Sequence, residues 1–327
     1  MGHWDRVDAA IEGRKAERVP VALWRHFPVD DQDPGKLAAR TIEWQKKWDF
    51  DLVKFMPSGT YSVEDWGARS VYEGAANGAR AIAEPGVKRA GDWPKLPRLD
   101  PAKGVLGAQN EALAIAAKEL RGSVPILQTV FSPLTTARKL AGEALIEHLR
   151  GEPDALEAGL RAITDTTVDF ALAALESGAH GLFFATQLAT TDLLSVAEYQ
   201  RFGVRFDLEV FKALGKRTRV NMLHVHGENI MFDVLAGYPV EMINWHDRLT
   251  APTLKEALGK FKGAVVGGVE ERGLLVSGAE TAVRAQVRDA IGQTGGRRLM
   301  VGPGCVAAIA APEQNIRAVI EEARMQR

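Results

Sequence analysis

The sequence predicts a single α/β domain, a (β/α)8 TIM barrel with an insertion after the second strand. Three observations carry that prediction. Short apolar or β-branched runs alternate with longer segments of helical period, the runs number eight, and polar residues gather at their C-terminal ends. No break in composition interrupts the alternation, so residues 1–327 read as one domain.

The runs expected as strands are 20–27, 51–56, 125–131, 181–187, 219–226, 241–246, 264–270 and 299–305. Between them, 36–48, 107–121, 153–177, 195–214, 251–262, 278–293 and 312–325 carry apolar residues three and four apart, as in Leu156, Leu160, Ile163 and Val168, and read as the outer helices. Gly178 closes the long fourth segment, and Pro312 stands where a first helical turn tolerates proline. The stretch 57–106 breaks the rhythm. It holds Pro57, Pro85, Pro94, Pro97 and Pro101, with Tyr61, Trp66 and Tyr72 near its start, and reads as an inserted hairpin or lid, or as a structural excursion packed on the barrel rim.

With 46% hydrophobic and 25% charged residues, the chain has ample material for a core. Its 41 basic and 42 acidic residues leave a formal charge of −1 with no block of one sign, which argues against nucleic acid or an anionic membrane surface and for a small-molecule substrate. One cysteine excludes an internal disulfide, and Met1-Gly2-His3-Trp4-Asp5-Arg6 lacks the pattern of a signal peptide. No apolar run approaches the roughly 20 residues of a membrane span. A cytoplasmic protein is the expectation.

The buried strands of a parallel barrel leave polar residues at their C-terminal ends in need of a reason, and here nearly every strand has them. The first ends in Arg25-His26, the second in Lys54, the third near Gln128 and Ser132, and the fourth in Gln187. The fifth ends in His224 and His226, the sixth in Asn244, His246 and Asp247, the seventh in Glu270-Glu271, and the eighth in Cys305. His224 and His226 are two residues apart and so share a strand face, which lets one ion meet both imidazoles. Cys305 as thiolate would complete a three-ligand zinc site with an open fourth position, for which His246, Asn244, Glu270 and Glu271 are candidates. The bland alternatives are a small buried cysteine and histidines that hydrogen-bond a carboxylate substrate. Arg25 suits either a clamp on an anionic group or a salt bridge to Asp30 or Asp51, and His26 either a proton donor or a rim residue. Trp24 and Phe27 read as packing.

Several segments resemble the uroporphyrinogen decarboxylase superfamily, which also contains zinc-dependent corrinoid and coenzyme M methyltransferases. Arg18-Val19-Pro20-Val21 is similar to the family's Arg-x-Pro start of strand one, and His224-Val225-His226-Gly227 to its His-x-x-Gly or His-x-Cys-Gly step. Gly267-Gly268-Val269-Glu270 resembles its Gly-Asn-(Leu/Val)-Asp step. Gly302-Pro303-Gly304-Cys305 with Ala311-Pro312-Glu313-Gln314-Asn315 resembles its final loop and helix start. The resemblance covers nearly the whole chain and implies the barrel fold; activity is open, because one fold hosts both chemistries.

The decarboxylases resemble one another in an Arg-Gln-Ala-Gly-Arg segment after strand one and an aspartate after strand two. This chain instead has Ala22-Leu23-Trp24-Arg25-His26-Phe27-Pro28 and Lys54-Phe55-Met56-Pro57-Ser58. Its mixed charges at the mouth, Arg25, His26, Lys54, Arg248 and Arg272 against Asp247, Glu270 and Glu271, suit a tetrapyrrole with eight carboxylates poorly. In the methyltransferases the resemblance implies zinc on a His-x-Cys pair and a distant Cys; His224 and Cys305 match, and His226 replaces the middle cysteine. The expectation is therefore a zinc-dependent methyltransferase. His224, His226 and Cys305 would hold the metal, Glu270 or His246 would serve as fourth ligand or general base, and His26 would be a further catalytic candidate. Arg25, Lys54, Gln187 and Asn244 would bind substrate. The chain has no Asp-x-His-x-x-Gly corrinoid step, so any cobalamin would ride on a separate partner protein. Resemblance to the decarboxylases implies a homodimer as one possible assembly. The alternatives are a metal-free decarboxylase using Arg25, His26 and an acid, and a noncatalytic ligand-binding barrel.

Overall fold

Proline and an aspartate decide what becomes of the first expected strand. Pro20 has no N–H to give, and the N–H of Val21 is taken by Asp51 Oδ2 at 2.9 Å. In the computed structural model, which describes residues 1–325, the run 20–27 therefore keeps a single parallel bridge, Val21 to Val301, in place of a ladder. The other seven runs form strands. In chain order these are β1 (Val53–Phe55), an added antiparallel pair β2 (Arg69–Val71) and β3 (Ala81–Glu84), then β4 (Ile126–Phe131), β5 (Gly181–Thr186), β6 (Met222–Val225), β7 (Met242–Trp245), β8 (Ala264–Val269) and β9 (Leu299–Pro303). The fold is α/β, built on a curled parallel sheet of seven strands in the order β1-β4-β5-β6-β7-β8-β9. The segment 20–22 reaches both edges: Val301 N–H donates to Pro20 O (2.9 Å), Ala22 N–H to Val301 O (3.0 Å), and Asp51 N–H to Val21 O (2.9 Å).

The sheet is buried on both faces, as a parallel sheet requires. On β5 the two faces are occupied by neighbours in sequence: Phe184 packs on Phe211 of the helix Arg205–Leu214 (ring centroids 4.8 Å), and Phe183 turns the other way, toward Trp24 (5.4 Å) and His224 (5.4 Å). The expected helices appear at Pro34–Trp48, Gly104–Leu120, Pro153–Glu176, Leu254–Lys260, Glu280–Thr294 and Glu313–Met325. The segment 195–214 is helical but interrupted by a π turn at Gln200–Val204. Three helices of eight or more residues have no counterpart in the sequence reading: His3–Ile11, Pro133–Ala141 and Ala144–Gly151. The second begins in ordinary fashion, with proline in its first turn and Ser132 accepting the Thr135 N–H at 3.2 Å.

Residues 57–106 hold the antiparallel pair β2/β3, a helical turn at Tyr61–Glu64 and a 3-10 turn at Ala90–Lys95. The stretch is anchored rather than loose. Trp93 is fully buried with its indole N–H on His148 Nδ1 (3.1 Å), Val87 N–H bonds Leu140 O (3.0 Å), and the Asp65 carboxylate receives the Val105 and Leu106 N–H groups that open the next helix (2.9 and 3.0 Å). One corner reaches the mouth. At Gly78, with φ +80°, a Cβ would lie 2.7 Å from His26 Cβ, so only glycine allows this approach.

The opposite end of the sheet is tied by a buried ion cluster. Asp51, with no exposure, receives His3 Nδ1 (2.9 Å), Arg6 Nε (2.7 Å) and Arg18 Nη1 (2.7 Å) besides the Val21 N–H. Burial by itself would raise its pKa, but His3, Arg18 and Val21 N–H hold it below the usual carboxylate range.

Candidate metal centre

β6 and β7 lie side by side with His224 opposite Asn244. Asn244 is fully buried, and its Nδ2 donates to Val266 O and Pro303 O, each at 2.9 Å. Those two bonds fix the amide, so Oδ1 must be the atom 2.6 Å from His224 Nδ1. An amide oxygen only accepts, so the network assigns the proton to Nδ1 and leaves the lone pair on His224 Nε2. Phe183 stacks on the other side of the ring (centroids 5.4 Å, planes at 27°). The imidazole is thus held by a hydrogen bond along one edge and by a phenyl face.

His226, past the end of β6, and Cys305, past the end of β9, meet this ring. One ligand atom from each of His224, His226 and Cys305 lies within 4.8 Å of the others, and Cys305 Sγ is 3.7 Å from His226 Nδ1. Burial resists ionisation of the Cys305 thiol, yet the neighbouring imidazoles hold its pKa well below the ordinary thiol value: His224 first, in the form that also carries a proton on Nε2, then hydrogen bonds from His226 and His246. His224 moves down, chiefly by burial, with Cys305 opposing. Beside them, His246 Nδ1 sits 2.9 Å from Glu271 Oε1 and its Nε2 3.2 Å from His226 Nδ1. Burial works against the imidazolium of His246, but hydrogen bonds to Cys305 and Glu271 push its pKa up to about 9. A line of proton-bearing contacts therefore runs Glu271, His246, His226, Cys305.

The other expected site residues divide. Lys54 faces the same basin, its Nζ 3.8 Å from the Phe183 ring centroid and 5.5 Å from that of Trp24. Burial drives its pKa down to about 7. His26 is buried with Nδ1 unpartnered, and burial followed by the charge of Lys54 lowers it to about 3. Gln187 follows β5, half-buried, with its backbone N–H on Thr135 Oγ1 (2.9 Å). Asn244 supports His224 rather than offering its amide to a ligand, because all its polar atoms are engaged within the sheet.

Two expected site residues lie turned away from the cluster. The Arg25 guanidinium turns outward, stacking over Phe27 (5.5 Å) and Trp44 (5.4 Å) and donating to Ile309 O (3.2 Å) in a surface cleft of about 510 Å3. That cleft lies outside the cluster and holds three acids, Asp30, Glu43 and Glu313, against Arg40, Lys47 and Arg25. Glu270 also turns away: its oxygens accept the N–H groups of Arg272 (2.8 Å), Gly273 (2.8 Å) and Leu274 (2.6 Å), where the helical turn Leu274–Ser277 begins. Its neighbour Glu271 reaches His246 instead. The sequence named both acids, but once β8 stops at Val269 the strand alternation no longer says which one points inward. Phe183 and Lys139 also escaped the sequence reading. Phe183 sits within an apolar run like any core residue, and Lys139 lies on a helix the periodicity did not isolate.

A sequence profile described as uroporphyrinogen decarboxylase (URO-D) matches residues 3–326. The chain belongs to the uroporphyrinogen decarboxylase family. Relatives in the family carry both activities. The chain is 23% identical over 334 residues, 96% of its length and 95% of the relative's, to the methylcobamide:CoM methyltransferase MtaA of Methanosarcina barkeri. It is 27% identical over 311 residues, 86% and 85% of the two lengths, to a uroporphyrinogen decarboxylase of a Mycobacterium species. Among solved structures, a methyltransferase from Methanosarcina mazei superposes with a TM-score of 0.86 over 99% of both chains at 19% identity, which fixes the fold. In this member of the family, the imidazole of His224, held by Asn244, meets that of His226 and a thiol of low pKa, a donor set of the kind that suits a borderline metal. Among the described residues no helix is long and apolar enough to cross a membrane.

Proposed function

We propose that this uroporphyrinogen decarboxylase family member is a zinc-dependent methyl-transfer enzyme, a (β/α)8 barrel closed by the segment 20–22, acting on a small substrate with a corrinoid carried by a separate protein. The observation that carries the reading is the meeting of His224, His226 and Cys305 within 4.8 Å. The donor set fits zinc: two imidazoles and a thiolate suit a borderline ion, and donor atoms around tetrahedral zinc stand about 3.3–3.8 Å apart, close to what these side chains already approach. Asn244 presets His224 with Nε2 free, and Glu271 presets His246, which is the supporting arrangement that metal-ligating histidines use.

Bound zinc would supply a Lewis acid that lowers the pKa of a nucleophile in its open position. The chain's own residues do the rest. His246 holds a proton at Nδ1 against Glu271 and turns Nε2 to the cluster; with Cys305 committed to the metal, the contact that most raises the His246 pKa would be lost, and Nε2 would be placed as fourth ligand or as the base that takes the nucleophile's proton. Phe183 and Trp24 line the basin with apolar surface, and Gly78 brings backbone over His26, which limits water at the mouth. With His226 where the relatives' motif has cysteine, the ion would carry one thiolate instead of two and more positive charge, which favours an oxygen or thiol nucleophile of modest acidity.

The test is metal content by inductively coupled plasma mass spectrometry, with methyl transfer from methylcobalamin to a thiol followed by absorbance. The expected result is about one zinc per chain in the wild type and a depleted Cys305→Ser variant that has lost turnover. Absence of zinc in the wild type after incubation with the metal would refute the reading.

A further inference from the structure

A buried carboxyl that the proposed chemistry leaves unused lies on the helix side of the sheet, behind the metal centre. Asp207, in the helix Arg205–Leu214, has no exposure. Its Oδ2 accepts the hydroxyls of Tyr238 (2.8 Å) and Tyr199 (3.2 Å), and its Oδ1 is buried with no hydrogen-bond partner among the described residues. Tyr199 reaches it across the π turn Gln200–Val204. The ring lies along Gly203, where a Cβ would stand 2.5 Å from the Tyr199 Cε2, so only glycine lets the phenol run down the helix to the carboxyl.

No cation answers this carboxyl. Toward the helix Pro153–Glu176, Arg201, Arg205 and Glu209 are spent on ion pairs with Glu157 and Arg161, and beyond Tyr238 the turn Phe232–Leu235 pairs Asp233 with Lys260. Lys139, on the helix Pro133–Ala141, rests on the Phe131 ring, and His224 of β6 lies on the other face of the sheet against Phe183. A carboxylate here would carry charge on an oxygen with no donor, which a buried site avoids by keeping the proton. Only burial and the two phenols act on Asp207, and burial prevails, raising it to about 7. Burial and the Asp207 charge raise both phenols too, so neither of them titrates in its place.

The carboxyl is connected to the metal centre through hydroxyls and backbone. Tyr199 has one hydroxyl proton and gives it to Asp207, so its 3.0 Å contact with Thr186 Oγ1 is donated by Thr186. Thr186 ends β5, and its carbonyl accepts the His226 N–H at 2.9 Å.

We infer that Asp207 is a positioning residue that works as the un-ionised acid: it clasps Tyr199 and Tyr238 against the end of β5, and loss of its proton loosens the strand end that seats His226. The inference rests on the proposed function only in taking His226 as a ligand; the clasp and its proton are independent of any metal. The pH dependence follows from the direction of the shift. Between the unfolded pKa of about 4 and the raised folded value, the unfolded chain has released a proton that the fold still holds, so stability falls as pH rises through that window and levels off above it.

The experiment compares wild type with Asp207→Asn, as the full chain, both as purified and after chelation, by urea denaturation from about pH 4 to about pH 9 and by hydrogen exchange read by mass spectrometry. The amide keeps the shape and the acceptor and has no proton to lose. The folding constant of wild type divided by that of the variant is expected to fall about tenfold per pH unit between about 4 and about 7, then to stay flat. Amide protection of residues 222–228 in wild type, relative to the variant, should drop as pH passes through about 7 while that of β8 does not. A ratio that is constant or rises with pH overturns the inference, and so does an Asn variant that fails to fold at neutral pH. Protection lost equally at 222–228 and at β8 marks a merely structural acid and overturns the link to His226. Neither readout needs zinc: a chain that binds none but shows both signatures keeps the clasp and loses the metal reading, and one that binds zinc with a flat ratio overturns the clasp alone.

Discussion

Asn244→Ala tests whether the ligand set is pre-organised by the sheet. The substitution removes three hydrogen bonds at a fully buried position, those to His224 Nδ1, Val266 O and Pro303 O. At about 1 kcal/mol for each buried group left without its partner, the expected loss of stability is about 3 kcal/mol. The functional effect is separable. With Oδ1 gone, nothing holds the proton on Nδ1, the ring can rotate about its Cβ bond, and zinc affinity should fall about 10–100-fold, the usual consequence of removing such a supporting group. Urea denaturation measures the first quantity, and competition with a chromophoric chelator on folded protein measures the second. A variant that loses stability yet binds zinc within about twofold of wild type would refute the claim that Asn244 sets the tautomer of His224, leaving it a purely structural amide.

Glu270 and Glu271 should behave as opposites. Glu270→Ala removes an acceptor of backbone N–H groups and should cost about 1 kcal/mol of stability with zinc binding and turnover intact. Glu271→Ala frees the His246 ring and should lower methyl-transfer turnover about 10–100-fold; the reverse pattern in the two variants would contradict their assigned orientations. Asp51→Asn should destabilise by about 3–5 kcal/mol at pH 7, since Arg6 and Arg18 lose their buried counter-ion. Because the folded pKa of Asp51 lies below its unfolded value, its contribution is complete above the unfolded pKa of about 4 and disappears as pH falls through the folded value. Unfolding curves of wild type and variant should therefore converge at acid pH, and a gap independent of pH would exclude Asp51 as the titrating group.

What the sequence made legible follows from which forces are local. Apolar runs and helical period depend on near neighbours, and seven of the eight expected strands lie where the runs are, each trimmed by one to three residues at an end. The eighth was lost to a long-range event, the Asp51 carboxylate capturing the Val21 N–H across 30 residues of chain. The same division holds at the site. His224, His226 and Cys305 were visible because strand ends converge wherever a parallel sheet curls, so their meeting needs only the fold. The direction of Arg25 was not visible, because it is decided by Trp44 on a helix and by Ile309 O some 284 positions away.

Charge is where sequence reasoning was least able to reach, and it is also what separates the readings of this basin. Counted along the chain, basic and acidic residues at the strand ends nearly cancel, which made the mouth look balanced. Folding removes that balance. Arg25 leaves for the surface, Glu270 turns to its own backbone, and Glu271 pairs with His246, while Lys54 stays inside and Lys139, unseen in the sequence, approaches the same His26. The strand ends thus gather two imidazoles and a low-pKa thiol on one side and Lys54 and Lys139, both near His26, on the other, with the Cys305 charge acting on Lys54. On the proposed reading, an eight-carboxylate tetrapyrrole would need cations around its whole rim, and Glu271 beside His246 and Asp247 beside Gly268 weigh against it.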